Sequence, residues 1–414
     1  MRLDERLNRQ LGIEGWDQSI LSEARIGVVG DDDRLASLFI LSASALGIDQ
    51  VVVIAPALDE PLLDMARKIN PWFRLIFLEG YYTHPLLGDI LQGCKVIADL
   101  SRYGLANKLL LERGRKASLP IIRGFCFEEE DIAGFKIFTY LRGREWQELE
   151  EVVSSVNLPS SHPDDAVLDI ICAAIVLEET KNILMGRKAS ADVFSYYRKK
   201  LAPVRNDMAI GVVGAGALGN FVGLGLAYSG FQDITFIDPD AIEISNLNRQ
   251  VFFYDALGLN KAEILAQRLS SQFGLRARSS VSYVRSDTDL SPFEIIFDCV
   301  DNYETKIVLS ETCEKQKKIL ISGGTSVDKG QVVVFDPGRN QAAPAALLGL
   351  YEIVDRRRLE TYQRPKESCI YQPDPSIIMT NQIIAGFMVD SLNRLLAGQD
   401  PVNIFYEADS LQKI

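Results

Sequence analysis

The chain has 414 residues, a formal net charge of −12 and 47% hydrophobic residues, enough for two or three soluble domains. Its acidic balance argues against a nucleic-acid partner, which needs a basic surface. No apolar run reaches the roughly 18 residues of a membrane span, and the charged start, Met1-Arg-Leu-Asp-Glu-Arg6, lacks a signal-peptide core.

In chain order, the elements read as one α/β unit written twice. Ile26-Gly-Val-Val-Gly30 is a short apolar run ending in glycine, the pattern of a buried parallel strand entering a tight turn, and Ile210-Gly-Val-Val-Gly214 repeats it. After a helix-length segment, Gly47 to Pro56 in the first copy matches Gly230 to Pro239 in the second. Further on, Val96-Ile-Ala-Asp99 matches Ile295-Ile-Phe-Asp298, and Pro120-Ile-Ile-Arg-Gly124 matches Ile319-Leu-Ile-Ser-Gly323. Apolar helix-like runs, Ala166 to Gly186 and Ile377 to Gly398, close the copies, and a charged segment from about Arg187 to Asp207 joins them. Strands alternating with helices predict two Rossmann-like, mostly parallel sheets forming an internal pseudo-dimer, with domains at 1–190 and 205–414.

The copies differ where chemistry would sit. The second has Gly214-Ala-Gly216-Ala217-Leu-Gly219, and the first has Gly30-Asp-Asp-Asp-Arg-Leu. Glycines let the backbone approach a phosphate, whereas aspartates would repel one. Asp238 and Asp240 correspond to Ala55 and Ala57, and Asp301 to Arg102. The first copy also lacks the stretch holding Ser245-Asn246-Leu-Asn-Arg249-Gln250 and Lys261. The first half therefore reads as a degenerate scaffold.

In the second half, the glycine turn between strand and helix suits a polyphosphate, and Asp238 at the next strand end suits a ribose hydroxyl. An NAD-binding domain would share both features. Arg249 and Lys261 add two cations, which suit a triphosphate. Asp301, beyond Asp298-Cys-Val and before Asn302, is placed either to hold Mg²⁺ or to cap a helix.

In this combination the sequence resembles the ThiF/MoeB family, which includes the adenylation domains of ubiquitin-activating enzymes. The resemblance covers residues 205–414 and, more faintly, the first half. It implies that Asp238 binds the ATP ribose, that Asn246, Arg249 and Lys261 contact the phosphates, and that Asp301 takes the magnesium ion. Asp240, Gln250 and Asn302 fall in the same matched motifs. The reaction implied is adenylation of a carboxylate, most often the C-terminal glycine of a ubiquitin-like or sulfur-carrier protein. Arg6-Leu-Asn-Arg9-Gln10 looks like the family's N-terminal segment, in which an arginine reaches the partner subunit's active site. Here Arg9 would reach the second half of its own chain, and the internal pairing favours a monomer.

Relatives often carry a transfer cysteine in the segment between Asp336 and Asp374, where Cys369 follows Glu367-Ser. Nearby Arg and Lys residues would favour its thiolate. Cys94, Cys126, Cys172, Cys299 and Cys313 read as packing residues in strands or helices. With no Cys-x-x-Cys pair, the cysteines predict reduced thiols in a cytoplasm and no zinc. The competing readings are adenylation of a ribosomal peptide or small carboxylic acid, an NAD-dependent oxidoreductase, and a non-catalytic binding module.

Overall fold

The computed structural model describes residues 4–141, 152–159, 162–190, 192–201, 206–339, 342–354, 374–408 and 410–413. Two sheets dominate it. The first holds β1 (Arg25–Val29), β2 (Gln50–Ala55), β3 (Arg74–Glu79), β4 (Val96–Asp99), β5 (Ile121–Glu129), β6 (Ile132–Tyr140) and β7 (Phe194–Lys199), in the order β3-β2-β1-β4-β5-β6-β7. The second holds β8 (Ala209–Val213), β9 (Asp233–Ile237), β10 (Arg276–Ser280), β11 (Ile295–Asp298), β12 (Ile319–Thr325), β13 (Lys329–Phe335), β14 (Ile404–Glu407) and β15 (Ser410–Lys413), in the order β10-β9-β8-β11-β12-β13-β14-β15.

In each sheet five strands run parallel, and the following strands are antiparallel. The expected mostly parallel pair of sheets is therefore present. The apolar runs ending in Gly30 and Gly214 are β1 and β8, both at the centre of their sheets and buried beyond the first residue. Parallel central strands have helices over both faces, which explains why they read as continuous rather than alternating apolar runs.

The segment read as a charged linker contains a strand. β7 pairs with β6 and alternates, with Tyr196 and Arg198 buried and Tyr197 and Lys199 exposed. The first sheet thus extends to Lys199.

Among the described residues, eight helices of ten or more residues accompany the sheets: α1 (Arg34–Leu46), α2 (Glu60–Ile69), α3 (Gly104–Ala117), α4 (Ala166–Leu184), α5 (Ala217–Tyr228), α6 (Lys261–Phe273), α7 (Tyr303–Gln316) and α8 (Ile378–Leu396). The two long apolar runs are α4 and α8, buried nearly all round, as expected of helices enclosed by protein. Among the described residues, no helix is long and apolar enough to cross a membrane.

These two helices join the halves. One continuous core includes Val28, Phe39 and Leu168 from the first half and Val212, Phe236 and Phe387 from the second, all fully buried. Each such side chain contributes about 1.5–3 kcal/mol by leaving water. Within this core Gln382 of α8 accepts from Ser42 Oγ at 2.6 Å and donates to the Ile170 carbonyl at 2.8 Å, so a single amide ties α1, α4 and α8. Buried Arg198 of β7 donates from Nε to Asp390 of α8 at 2.6 Å and also pairs with Asp165.

Candidate active site in the second half

The turn after β8 depends on glycine at two positions. Gly214 has φ 95°, and a Cβ there would lie 2.8 Å from the Cys299 carbonyl oxygen. A Cβ on Gly219 would lie 2.1 Å from the Gly214 oxygen, so α5 starts packed onto its own turn. Gly216 is different: its nearest neighbour is Gln250 Nε2, 3.9 Å from where a Cβ would stand. The turn is closed on one side and open at Gly216, next to Ala217 at the start of α5. Asn220, fully buried, braces it by donating to the Ala215 and Gly216 carbonyls at 3.0 and 2.9 Å and accepting the Phe252 N–H at 3.1 Å.

Asp238 follows β9 and is 6% exposed. Its Oδ2 accepts the Ala215 N–H at 2.7 Å and its Oδ1 the Asp240 N–H at 2.8 Å. Burial pushes the carboxyl up from its ordinary range, against the pull of Lys261 and these amides. Asp238 thus fixes the glycine turn to the start of the next loop. Asp240 accepts from Lys261 Nζ at 3.2 Å, and Asn260 Nδ2 donates to both the Asp238 and Asp240 carbonyls. Lys261 opens α6 and is held by Asp240 over the loop that follows β9.

Between these points lies the stretch absent from the first half. Asn246 Oδ1 accepts the Glu243 N–H at 3.0 Å, closing a short capping turn. Arg249, 5% exposed, donates from Nη1 to the Ser245 carbonyl at 2.8 Å and to Asn248 Oδ1 at 2.7 Å. Gln250 is buried beside the turn, and its Oε1 has no hydrogen-bond partner.

The N-terminal segment docks here from the other half. Arg6 donates to the Ser44 and Ala45 carbonyls at the C-terminal end of α1, and Gln10 donates to the Leu46 carbonyl. Free carbonyls and the negative end of the helix dipole make that end a natural seat for a cation. Gln10 then accepts from Asn248 Nδ2 at 3.0 Å, linking positions 238 residues apart.

Arg9, between Arg6 and Gln10, faces the second half. Its Nη1 donates to the Asp374 carbonyl at 2.9 Å, and its Nε is buried without a hydrogen-bond partner. Burial lowers its pKa while Glu243, Asp301 and Asp374 oppose that shift. Arg249 is pushed down to about 9, first by burial and then by the Arg9 charge, with Asp301 and Glu243 opposing. Two guanidiniums that repel one another in a buried setting form a place suited to an anion. Asp301 is exposed beyond β11, and Asn302, not Asp301, caps α7 by accepting the Thr305 N–H at 2.8 Å.

The structure thus brings Gly214, Gly216, Ala217, Gly219, Asp238 and Gln250 around one turn and joins Lys261 to it through Asp240. It sets Arg9, Arg249 and Asp301 within electrostatic reach of one another. Cys369 lies outside the described residues. The other five cysteines are buried, with Cys313 pushed up to about 12 by burial. Cys94 and Cys299 sit in turns flanking β4 and β11 rather than in a strand or helix, because each packs where a strand meets its loop.

Asn220, Asn248 and Asn260 were not singled out from the sequence. Asn220 carries a local signal as the one amide in an otherwise apolar helix, and Asn260 as the N-cap that accepts the Glu263 N–H at 3.1 Å. Asn248 carries none, because its partners include Gln10 and the Ser376 carbonyl, far off in the chain.

The model of the ThiF family matches residues 197–413. The chain is 29% identical over 202 residues to "Adenylyltransferase and sulfurtransferase MOCS3" of Xenopus laevis, covering 44% of this chain and 41% of that protein. It is 33% identical over 129 residues to "Molybdopterin-synthase adenylyltransferase" of Haemophilus influenzae, covering 30% of this chain and 53% of that one. Among solved structures, E. coli MccB with MccA-N7isoASN aligns at 20% identity and a TM-score of 0.42, over 50% of this chain and 64% of that chain. The chain spans less than two thirds of the length of these curated relatives. With more than half of its residues matched by the family model, the chain belongs to the ThiF family.

Proposed function

We propose that the chain uses ATP and Mg²⁺ to adenylate a carboxylate, the C-terminal glycine of a small ubiquitin-like or sulfur-carrier protein. The observation that carries this reading is the docking of the first half's N-terminal segment on the second: Arg9 donates to the Asp374 carbonyl, and Gln10 accepts from Asn248, which accepts from Arg249. The residues fit the nucleotide on other grounds too. The turn is open at Gly216, and Gln250 Oε1 and Arg9 Nε are buried polar atoms without hydrogen-bond partners. The ThiF family model matches residues 197–413, and relatives named adenylyltransferases share 29% and 33% identity over 202 and 129 residues.

In this reading residues 1–190 are an inactive scaffold, residues 205–414 carry the site, and the chain acts as a monomer. ATP supplies the α-phosphorus that the carboxylate oxygen attacks, with pyrophosphate leaving. The Gly214–Gly219 turn and the start of α5 receive phosphate oxygens. Asp238, with Asp240 and Asn302 at the neighbouring strand ends, orients the nucleoside end. Arg249 and Lys261 neutralise the charge of the departing pyrophosphate, Asn246 and Gln250 offer it amide hydrogen bonds, and Arg9 adds a cation from across the pseudo-dimer. Asp301 is the carboxylate assigned to Mg²⁺. Cys369 is the proposed acceptor of the activated acyl group.

Exchange of labelled pyrophosphate into ATP tests this. Exchange should require a carboxylate, be strongest with a small protein ending in Gly-Gly, and collapse in Asp301→Ala. Undiminished exchange in that variant would overturn the metal assignment. Exchange with a free peptide or small acid but no carrier protein would replace the proposed substrate.

A further inference from the structure

Of the three aspartates that stand in the first half where the second has its glycine turn, Asp31 and Asp32 fold inward around His162, and Asp33 is exposed. Asp31 and Asp32 follow Gly30 at the end of β1, and their side chains are 0% and 8% exposed. His162, just before α4, is 9% exposed and brings Nδ1 to 3.0 Å from Asp32 Oδ2 and 4.0 Å from Asp31 Oδ1. These three atoms are all buried and none makes a hydrogen bond.

The remaining atoms of the same groups are each held. Asp31 Oδ2 accepts the Arg102 N–H at 2.7 Å, and Asp32 Oδ1 accepts the Leu35 N–H at 2.7 Å. His162 Nε2 meets Asp169 Oδ1 at 3.0 Å, and Asp169 in turn accepts from Arg34 Nε at 2.7 Å. An imidazole that donates one N–H to an anchored carboxylate presents the lone pair of its other nitrogen. Here that nitrogen is Nδ1, and the arrangement is the carboxylate–histidine pairing that orients metal ligands. Ligands about 2.0–2.2 Å from a metal stand roughly 3–4 Å from one another. The observed separations of 3.0 and 4.0 Å fall there, and the three ligand atoms lie within 4.8 Å of one another.

We propose that Asp31 Oδ1, Asp32 Oδ2 and His162 Nδ1 bind one divalent first-row metal ion, such as Zn²⁺ or Mn²⁺, in the first half. One imidazole and two carboxylates suit such ions, with water completing the shell. The ion is structural: it clasps the end of β1 to the segment entering α4, at the place in the repeat given to phosphates in the second half. Cys126 lies on the other side of the imidazole, near Asp169, where Nε2 is already engaged, and is not a ligand. The site has none of the Cys-x-x-Cys character by which the sequence predicts no zinc, and it stands independently of the adenylation reading.

The test uses the full chain, stripped with chelator and dialysed without nucleotide. It should take up one equivalent of Zn²⁺ and show a rise in Tm with added Zn²⁺. His162→Ala and Asp32→Asn should lose that equivalent, Asp169→Asn should weaken it about 10–100-fold, and Asp301→Ala should retain it. Co²⁺ in place of Zn²⁺ should give d–d absorption without thiolate charge transfer. No stoichiometric uptake of Zn²⁺ or Mn²⁺ by the wild type would overturn the proposal. So would full uptake by folded Asp32→Asn, or a thiolate band with Co²⁺. If His162→Ala fails to fold, Asp32→Asn and the cobalt spectrum still decide.

Discussion

Asp99 in the first half and Asp298 in the second end equivalent strands, β4 and β11, and both are buried. Asp99 is met by Arg123 of β5 at 3.2 Å and by Asn107 of α3 at 3.0 Å. Asp298 is met by Lys306 of α7 at 3.0 Å and by Ser322 of β12 at 2.6 Å. In the repeat, Arg123 aligns with Ser322 and Asn107 with Lys306. The cation has changed element, from strand to helix, while the charge beneath the strand end has stayed balanced. A few residues on, the halves part: Asp301 lies within electrostatic reach of Arg9 and Arg249 in the second, and Arg102 stands at its place in the first. The buried carboxylate belongs to the scaffold, and the exposed edge beyond it is where the halves differ in chemistry.

The largest effect should come from breaking that shared balance. Lys306→Ala leaves Asp298 buried without its cation and should cost about 3–5 kcal/mol in chemical denaturation. The double variant Lys306→Asn/Ser322→Arg copies the first-half arrangement and should recover part of the loss. No recovery would mean that the two pairings are not interchangeable.

Smaller in free energy, but specific to chemistry, is Arg249→Ala. It should lower pyrophosphate exchange about 10²–10³-fold, the usual cost of losing one charge-stabilising donor. Arg102→Ala, at the first-half counterpart of Asp301, should change exchange less than about twofold. A large loss in Arg102→Ala would contradict the division of labour.

The smallest effect concerns thiols. Burial raises Cys94, Cys299 and Cys313 and so depletes their thiolates. Alkylation of the native chain should therefore spare them and label Cys369, leaving the adenylation step intact while blocking acyl transfer. Rapid labelling of the five buried cysteines before Cys369 would remove that distinction.

The two sheets were legible because buried parallel strands are written as apolar runs closed by glycine, as at Ile26–Gly30 and Ile210–Gly214. β7 was not read, although its alternation is in the sequence. Its Arg198 and Lys199 look like linker charges until Asp390, far along the chain, buries one of them. The glycine turn, Asp238 and Lys261 sit close together in sequence and announced themselves by spacing. Asn248 depends on Gln10, and His162 on Asp31, Asp32 and Arg34-bound Asp169. Partners that meet only in the fold leave no local pattern, so the sequence shows Asp31 and Asp32 only as charges that repel phosphate, whereas in the fold they line a buried cluster.

The central claim is that the two halves make one active site, with Arg9 as the first half's contribution. Pyrophosphate exchange by Arg9→Ala, checked for an unchanged thermal transition, tests it most directly. The account predicts a fall of about 10–100-fold, the loss of one partly exposed charge stabiliser. An unchanged rate in the folded variant would mean that the second half works alone.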